Sequence, residues 1–507
     1  MFDRERWIRQ SAGWLCGLAV TVVALGSCMP AAVAQGIGGG GIGGGGGIGG
    51  GGGIGGGGIG GGGIGGGGIG GGGIGGGGLG GAGGIVVDAQ GVLRTGMAPD
   101  AGLSVAQRKA AVESMPGDLK RATPLRKVAL SRLEAEVAKA VTAGRGVPEE
   151  LQKLAGLTRV QYVFVYPAEG DVAGEIVIAG PAEPWITDAT GRVLGVESGR
   201  PTVLLDDLTA ALRCFPPGQP QDRLLGCSID PREEGLAAMQ KFLGKIGRVN
   251  PTVGLDAIVR GLRDSLGPHT VSVQGVSPAT HFAHVMVEAD YRMKLIGIGL
   301  ERPPVQMKSW VELASAGSVA ANALQRWFFV PDYQCLRISE DDLAMELVGQ
   351  GVKLCCADEV VLPNGRRMAT DKPSASAKQY ADTFTRKYPE IAARSPVYAQ
   401  LRTLIDLAVA AAYMQEFDAY GKARWGAATL LSEQAFPIER LNRPAQVEPA
   451  INAVWQGNRL LTPIGGGVTV HPRMALDPPN LLMDEKGEVG AARTAARKLP
   501  ASKWWWD

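Results

Sequence analysis

The chain has 507 residues, and its 51 Lys and Arg residues against 49 Asp and Glu give a formal net charge of +2. This near-balance argues against a basic nucleic-acid-binding surface, so we expect no nucleic-acid partner. More than 400 residues follow the glycine-rich tract that ends at residue 84. They are too many for one typical core and enough for two or three domains.

The N-terminus has the three parts of a secretory signal peptide. Three arginines within the first nine residues precede an apolar stretch, 14–25, that is too short for an ordinary membrane span, and residues 32–34 (Ala-Val-Ala) form a small-x-small cleavage site. Removal of residues 1–34 predicts an exported protein of the periplasm, cell envelope or extracellular space. The alternative is lipoprotein processing, because residues 25–28 resemble a lipobox with Cys28 as the lipid anchor. No later stretch has eighteen uninterrupted apolar residues, so no transmembrane span is expected after signal removal.

Residues 35–84 are almost entirely glycine, with an isoleucine or leucine at every fifth or sixth position. A five-residue step rotates each isoleucine by about 140° in a helix and alternates it across a strand, so neither structure gathers an apolar face. One apolar side chain per five residues cannot offset the ordering entropy. The pattern therefore predicts a disordered, low-complexity spacer whose coil spans about 40 Å. The alternative is self-association, in which extended glycine-rich chains pack through backbone hydrogen bonds.

The first part of the body alternates short strand patterns with helices. Residues 84–93 and 185–194 each predict a hairpin around a related turn, Asp-Ala-Gln-Gly in one and Asp-Ala-Thr-Gly in the other. The other predicted elements are a charged helix at 124–142, a hairpin from 160–166 and 175–178, helices at 205–213 and 231–243, and a strand at 271–274.

A helix is predicted from Ser277-Pro278 to about residue 295. Its apolar residues recur at helical spacing and define one face: Phe282, Val285, Met286, Ala289 and Met293. The later elements are strands at 327–330, 335–338, 344–348 and 352–356, a helix lined by Tyr380, Phe384 and Tyr388, a helix that begins after Ser395-Pro396, and a strand at 464–470.

Strands come in clusters separated by helices, without steady βαβ alternation. This order predicts an α+β fold with mixed, mainly antiparallel sheets and packed helices. We place an α+β domain at 85–300, a second α+β region with closing helices at 301–480, and a flexible basic and Trp-rich tail at 481–507. An alternative role for the tail, which combines cations with Trp504–Trp506, is docking on a membrane surface, a glycan or a partner.

Five cysteines follow the signal peptide, and an exported chain lies where disulfides persist. Cys214 and Cys227 bracket a turn-rich Phe-Pro-Pro-Gly loop and are candidates for one disulfide. Cys335 and Cys355 are a second possibility if their strands are neighbours. A zinc site is not expected, because the chain has no Cys-x-x-Cys pair and no Cys/His cluster.

The helix at 278–295 carries the best candidate metal site. Steps of three and four residues place His281, His284 and Glu288 on one side of the helix, and two imidazoles with a carboxylate could bind a transition metal. The alternative is an ordinary polar helix surface. Asp290 and Arg292 on the same helix are either helix-stabilising partners of nearby charges or part of a ligand-binding or hydrolytic site.

The sequence gives weaker support for other catalytic arrangements. Paired carboxylates for glycoside cleavage could come from four residues: Asp206, Asp207, Asp230 and Asp290. No Gly-x-Ser-x-Gly motif nominates a serine nucleophile. The catalytic residues therefore stay unknown, and no cofactor is identified.

Four further motifs stand out: residues 226–231 (Gly-Cys-Ser-Ile-Asp-Pro) with 234–236 (Glu-Gly-Leu), residues 288–294 (Glu-Ala-Asp-Tyr-Arg-Met-Lys), residues 395–398 (Ser-Pro-Val-Tyr) with Leu401, and residues 504–507 (Trp-Trp-Trp-Asp). From about residue 85 onward, the chain resembles domain-of-unknown-function family 1598. The resemblance implies an exported protein of uncharacterised function, of a kind typical of planctomycete bacteria. It implies no catalytic residues.

The function that the sequence favours is non-enzymatic: an α+β body displayed on a glycine-rich spacer, which binds another envelope or surface component or itself. The alternative is a hydrolase or metal-dependent enzyme of the cell envelope that uses the helix with His281, His284 and Glu288. The geometry of these three side chains discriminates between the two hypotheses.

Overall fold

Short runs rich in β-branched and aromatic residues form the strands of the body. The strands are β1 (Ile85–Val87), β2 (Val92–Thr95), β3 (Thr123–Ala129), β4 (Tyr162–Tyr166), β5 (Glu175–Ala182), β6 (Trp185–Thr187), β7 (Val193–Gly195), β8 (Leu225–Asp230), β9 (His269–Gln274), β10 (Ala323–Pro331), β11 (Leu336–Ile338), β12 (Ala344–Leu347), β13 (Val352–Val361), β14 (Arg367–Ala369), β15 (Gln446–Val447), β16 (Val454–Gln456), β17 (Arg459–Leu461), β18 (Gly466–Val470), β19 (Leu481–Met483) and β20 (Trp505–Trp506).

Apolar residues spaced by 3 and 4 positions mark the longer core helices, such as the segments 130–142 and 205–214. The helices are α1 (Val105–Ser114), α2 (Leu130–Thr142), α3 (Glu149–Gln152), α4 (Leu205–Cys214), α5 (Glu233–Ile246), α6 (Leu255–Leu266), α7 (His281–Gly297), α8 (Trp310–Leu313), α9 (Ala375–Arg394), α10 (Pro396–Glu416), α11 (Ala419–Ala423), α12 (Ala428–Leu431) and α13 (Glu488–Ala495). None of the helices in the described part of the chain combines the length and hydropathy that a bilayer-spanning segment needs.

The computed structural model describes residues 84–96, 104–218, 220, 222–246, 255–314, 323–362, 364–370, 373–452, 454–456, 459–461, 466–497, 500 and 503–507. The predicted signal peptide, the lipid anchor at Cys28 and nearly all of the glycine-rich tract lie outside these residues.

Two large sheets organise the body. The nine-stranded sheet has the order β1-β2-β15-β9-β8-β18-β10-β13-β14, and the seven-stranded sheet has the order β19-β11-β12-β4-β5-β3-β20. Most neighbours are antiparallel, whereas β2–β15, β10–β18 and β11–β19 are parallel. The mixed sheets and the packed helices confirm the predicted α+β class.

The domain boundary predicted near residue 300 does not separate the two sheets. The nine-stranded sheet joins β8 and β9 to β10 and β13, and the seven-stranded sheet joins β4 and β5 to β11 and β12. Strands from both sides of residue 300 therefore pair within each sheet, and the described residues from Gly84 onward belong to one compact unit.

The two predicted hairpins with related turns are confirmed. In β1–β2, Asp88 Oδ1 accepts hydrogen bonds from the backbone N–H groups of Gln90 and Val92, and in β6–β7 Asp188 Oδ1 accepts from those of Thr190 and Arg192. The glycine of each turn has a positive φ, 79° at Gly91 and 83° at Gly191. Such a backbone favours glycine, which explains the shared Asp-Ala-x-Gly sequence.

The charged helix predicted at 124–142 is correct only in its second half. The structure places β3 over Thr123–Ala129, and α2 begins at Leu130. β3 pairs with β5 on one side and with β20 on the other, while Arg126 and Val128 are buried. Because backbone pairing and burial outweigh the helix propensity of Lys, Arg and Ala, this segment is a strand.

Helix α7 lies in the core, where it contacts β8 and β18 of the nine-stranded sheet on one side and α4 and α10 on the other. Its five predicted apolar-face residues are all buried, as expected. An aromatic cluster of Phe329, Phe384, Tyr388 and Tyr398 joins β10 to α9 and α10, with ring centroids 5.5–6.4 Å apart. Such pairs stabilise a core beyond their buried area.

The C-terminal segment expected to be a flexible tail contains β19, α13 and β20. β20 extends the seven-stranded sheet by pairing with β3. The Arg126 guanidinium is fully buried and binds Asp507 through two hydrogen bonds, Nε to Oδ1 at 2.8 Å and Nη2 to Oδ2 at 3.0 Å. The described end of the chain is therefore attached to the body by the buried cation of a strand that the sequence had suggested was helical.

Asp507→Asn should destabilise the protein because the buried Arg126 loses its charged partner. Asp507 itself is 40% exposed, so we expect a loss of about 2 kcal/mol in the free energy of unfolding rather than the larger cost of a fully buried pair. Urea denaturation measures this loss. Lys503→Ala, which removes an exposed ion pair with Asp118, is the control and should cost clearly less than Asp507→Asn. Equal stability of Asp507→Asn and the wild type would contradict this assignment.

Candidate functional site on helix α7

Helix α7 begins at His281 with Thr280 as its N-cap, whose hydroxyl accepts a hydrogen bond from the backbone N–H of Ala283. Fourteen of its 17 residues are buried, including Glu288 and Asp290 at 0% exposed. The polar face that the sequence suggested for this helix is therefore inside the protein. A charge in such a position needs a partner, because desolvation without one costs several kcal/mol.

His281 pairs with Asp207 in the first turn of α4. Its Nδ1 lies 2.9 Å from Oδ2 and 3.0 Å from Oδ1 of Asp207, and its Nε2 lies 3.5 Å from Nε2 of Gln400 on α10. Burial opposes protonation, but the Asp207 carboxylate outweighs it and raises the pKa of His281 above its usual value. His281 is the most accessible of the three predicted metal ligands, with 17% of its side chain exposed.

His284 points to a different neighbour. Its Nε2–H donates to the backbone carbonyl of Asn442 at 2.8 Å, and its Nδ1 is buried without a hydrogen-bond partner. Burial is the largest influence and lowers the pKa of His284. The ring is therefore a neutral core group held by one hydrogen bond.

Glu288 is a buried carboxylate with two arginine partners. Arg192 lies directly before β7, and its Nη2 binds both carboxylate oxygens of Glu288. Nη1 of Arg292 lies 3.5 Å from Glu288 Oε1. Arg292 also donates to Glu301 at 2.8 and 3.0 Å. The backbone approaches so closely at Gly84 that a Cβ there would lie 1.9 Å from Glu288 Oε1. Glycine at this position leaves the space that the carboxylate occupies.

Asp290 and Lys294 form the second buried pair of α7, on the side that faces the nine-stranded sheet. Lys294 Nζ donates to Asp290 Oδ2 at 2.8 Å and to the Ile229 carbonyl of β8 at 3.0 Å. Burial raises the pKa of Asp290 to about 6, although the Lys294 ammonium opposes the shift. Asp290 Oδ1 is buried without a hydrogen-bond partner. Both residues of the pair lie inside the protein, since Asp290 is 0% and Lys294 is 9% exposed.

The predicted metal site is not assembled. His281, His284 and Glu288 each contact a separate partner: Asp207, the Asn442 carbonyl and Arg192. Among the described residues, no group of three His, Cys, Asp or Glu side chains could hold a metal ion. The site is not assembled because each side chain is buried against its own neighbour, so the three side chains do not converge on a common point.

The four candidate carboxylates for glycoside cleavage are also divided among cations. Asp207 binds His281 and Asp290 binds Lys294, whereas Asp206 lies 4.0 Å from Arg440. Asp230 contacts Arg326 at 3.3 Å and Arg367 at 2.7 Å on the nine-stranded sheet. Burial opposes ionisation of Asp230, but these two arginines outweigh it and lower its pKa.

The predicted disulfide between Cys214 and Cys227 is not formed, and both residues are free thiols. Cys214 ends α4, and its Sγ donates to the Gly275 carbonyl at 3.2 Å. Cys227 lies in the middle of β8, where it pairs with Val468 and Val273. Burial raises the pKa of the Cys214 thiol to about 12, so it is a core thiol.

A narrow apolar gap separates α7 from α10. The gap has no room for a water molecule and is lined by residues that include Phe282, Met286, Leu401 and Leu404. The gap provides no polar group to orient a ligand.

Sequence reasoning missed Arg192, Gln400 and Glu301 as partners of α7. The signal for Arg192 was present: it is the one charged residue in the segment 191–194, whose other residues are Gly, Val and Leu. A cation at such a position indicates a buried counter-charge elsewhere in the chain. Nothing in the local sequence of Gln400 or Glu301 indicated their roles.

The part of the chain that contains α7 matches a known protein family. Residues 227–310, from β8 to the start of α8, match the family model described as Protein of unknown function (DUF1598). The match confirms the resemblance to this family over residues 227–310, a smaller part of the chain than the predicted extent from residue 85 onward. It covers the segment that contains Asp230, Glu288, Asp290 and Lys294, and assigns no activity to them. Neither the curated proteins nor the solved structures gave a match to the chain.

Glu288→Gln should be strongly destabilising. The substitution leaves the Arg192 guanidinium buried without a counter-charge, which costs about 3–5 kcal/mol. Glu301→Gln is the matched control: its carboxylate is 22% exposed and its partner Arg292 is 23% exposed, so we expect a loss of about 1 kcal/mol. Chemical denaturation of both variants gives the comparison, and a loss at Glu288 no greater than that at Glu301 would contradict a structural role for the pair.

His281 and His284 should give opposite pH dependences of stability. His281 has a raised pKa in the folded protein, so its contribution is fully present below its unfolded pKa of about 6.5 and is lost as the pH rises through the folded value. His284 has a lowered pKa, so its contribution is present above about pH 6.5 and is lost as the pH falls through the folded value. The free energies of unfolding of His281→Gln and His284→Gln, measured against the wild type between pH 5 and 9, test both signs. Parallel pH profiles would refute the assignment.

Proposed function

We propose that this is an exported, non-enzymatic protein of the cell envelope or cell surface, whose α+β body is a binding or structural module displayed on the glycine-rich spacer at 35–84. The observation that carries the proposal is the internal pairing of α7. The ionisable side chains that the sequence offered for catalysis contact partners within the body: Asp207, Arg192 and Lys294.

Catalytic acids and bases need an accessible proton or lone pair beside a substrate. Glu288 directs both carboxylate oxygens at Arg192 and is 0% exposed. Asp290 is equally buried beside Lys294. These pairs orient α7 between the nine-stranded sheet and the hairpin β6–β7, which supports a scaffold function better than a reaction.

Export and display are supported by the arrangement along the chain. A signal-peptide pattern and a glycine tract precede the body, and the described body begins at Gly84, next to β1. A long glycine tract between an export signal and the body suits a body held at a distance from a membrane or wall.

One observation favours the second candidate, a hydrolase of the cell envelope. Asp207 binds Nδ1 of His281, and a carboxylate in this position orients and strengthens an imidazole base. The Nε2 atom is then the proton acceptor, 3.5 Å from Gln400 Nε2, and 17% of the His281 side chain is exposed. Hydrolysis that is lost in His281→Gln while the fold is retained would favour this candidate.

The display proposal predicts a mature chain outside the cytoplasm that begins at Gln35. Cell fractionation followed by N-terminal sequencing of the natural protein measures both properties. Cys28→Ser is the control, because signal cleavage after residue 34 does not need this cysteine, whereas lipid attachment does. Retention of the wild type in the cytoplasm would contradict export, and loss of envelope association in Cys28→Ser alone would assign anchoring to the lipid.

Binding is tested by affinity capture from an envelope extract, with the mature chain and a variant that lacks residues 35–84 as parallel baits. We expect both baits to retain the same component, since the body and not the spacer supplies the binding surface. Capture that disappears with the spacer would transfer the binding function to the glycine tract. The size-exclusion profiles of the two baits complete the comparison: an equal oligomeric state argues against self-association through the tract.

A further inference from the structure

The last five residues, 503–507, occupy a slot on the edge of the seven-stranded sheet that has the features of a peptide-binding site. The slot consists of the outer edge of β3 and the side chains of Asp118, Arg126 and Arg132. The C-terminal segment contributes a carboxylate, an aromatic ring and backbone groups to the contact. These form an ion pair, a cation–π contact and a strand pairing with the slot.

Arg126 recognises the carboxylate. It binds Asp507 in the bidentate manner that suits a guanidinium and a carboxylate. Its remaining donors are held by the body: Nη1 donates to the Ala155 carbonyl at 2.6 Å, and Nη2 lies 3.3 Å from the Arg121 carbonyl. These contacts orient the guanidinium from within the body, while Asp507 is 40% exposed and reaches it from the surface.

The tryptophans supply the aromatic and backbone contacts. The Trp505 ring lies 4.6 Å from Arg126 Cζ, in a cation–π arrangement. The backbone N–H of Ala129 donates to the Trp504 carbonyl at 2.8 Å, and β20 pairs antiparallel with β3. Trp504 and Trp505 also pack against a buried cluster that contains Leu119 and Trp185. This combination of strand addition and side-chain pockets is a common mode of peptide recognition.

The position of the segment allows exchange. β20 is the edge strand of its sheet and pairs with β3 alone, so it can leave the slot without breaking another strand pairing. An identical segment from another molecule can then form the same hydrogen bonds, ion pair and ring contact. Domain swapping uses this equivalence of intramolecular and intermolecular contacts.

We propose that the slot beside Arg126 is an exchangeable docking site, and that its intermolecular occupant is the Trp-Trp-Trp-Asp terminus of a second copy of this chain. Five residues, 498–502, connect Arg497 to Lys503, so the Cα atoms of these two residues lie at most about 22 Å apart. This short reach requires the two sheet edges to lie close together, which favours a reciprocal two-fold dimer. The proposal is independent of the glycine tract and goes beyond the display function.

Two complementary variants of the full mature chain test the exchange. Arg126→Met keeps the terminal segment but removes the carboxylate-binding group, and deletion of residues 505–507 keeps the slot but removes the segment. Only a mixture can form one complete contact, between the segment of the first and the slot of the second. Analytical ultracentrifugation should detect a heterodimer in the mixture and monomers in each variant alone. Folded variants that stay monomeric when mixed would overturn the proposal.

A peptide measurement on the wild-type chain provides the second readout in case a variant fails to fold. A fluorescent peptide that ends in Lys-Trp-Trp-Trp-Asp should displace the chain's own segment and bind, and the same peptide ending in Asn should bind at least tenfold more weakly. Equal binding of the two peptides, or no binding of either, would contradict an exchangeable Arg126 site. Repeating the mixing with residues 35–84 deleted separates this association from any through the glycine tract, because heterodimer formation should persist.

Discussion

The ion pair between Glu288 and Arg192 is the constraint on which the arrangement of the body depends. It lies in the interior, where a single unpaired charge costs several kcal/mol, so helix α7 and the hairpin β6–β7 must meet at this point. The closely packed backbone at Gly84 adds the start of β1 to the same junction. A buried pair stabilises a fold little compared with apolar packing, but it fixes which face of α7 meets which element. Asp290 with Lys294 does the same toward β8.

Local sequence patterns predicted much of the fold. The Asp-Ala-x-Gly turns gave both hairpins, and apolar spacing gave the helices that became α4, α7, α9 and α10, because these signals act between residues a few positions apart. The order of strands in the sheets could not be predicted, because it depends on pairing between distant parts of the chain. β18, for example, lies between β8 and β10 in the sheet but follows both by more than a hundred residues in the chain. The same limit explains the site. Arg192 is 96 residues from Glu288, so α7 was interpreted as a helix with a polar surface or a metal site.

The misjudged C-terminus has a similar cause. Interleaved cations and tryptophans are typical of an exposed tail, and the residue that holds them, Arg126, lies 381 positions away in a segment whose composition favours a helix. The two wrong predictions are connected: β3 is a strand that pairs with β5 and β20, and its Arg126 binds the segment that contains β20. The proposed display and binding role fits a body whose charged residues are engaged in such internal contacts.

The central claim is that the charged residues of α7 belong to the structural core and not to a reactive site that opens to solvent. Amide hydrogen exchange of the mature chain under native conditions tests it most directly. If the claim holds, the amides of α7 exchange only through global unfolding, with an opening free energy equal to that from denaturation. Exchange of α7 through a local opening of clearly lower free energy, while β8 and α10 stay protected, would contradict it.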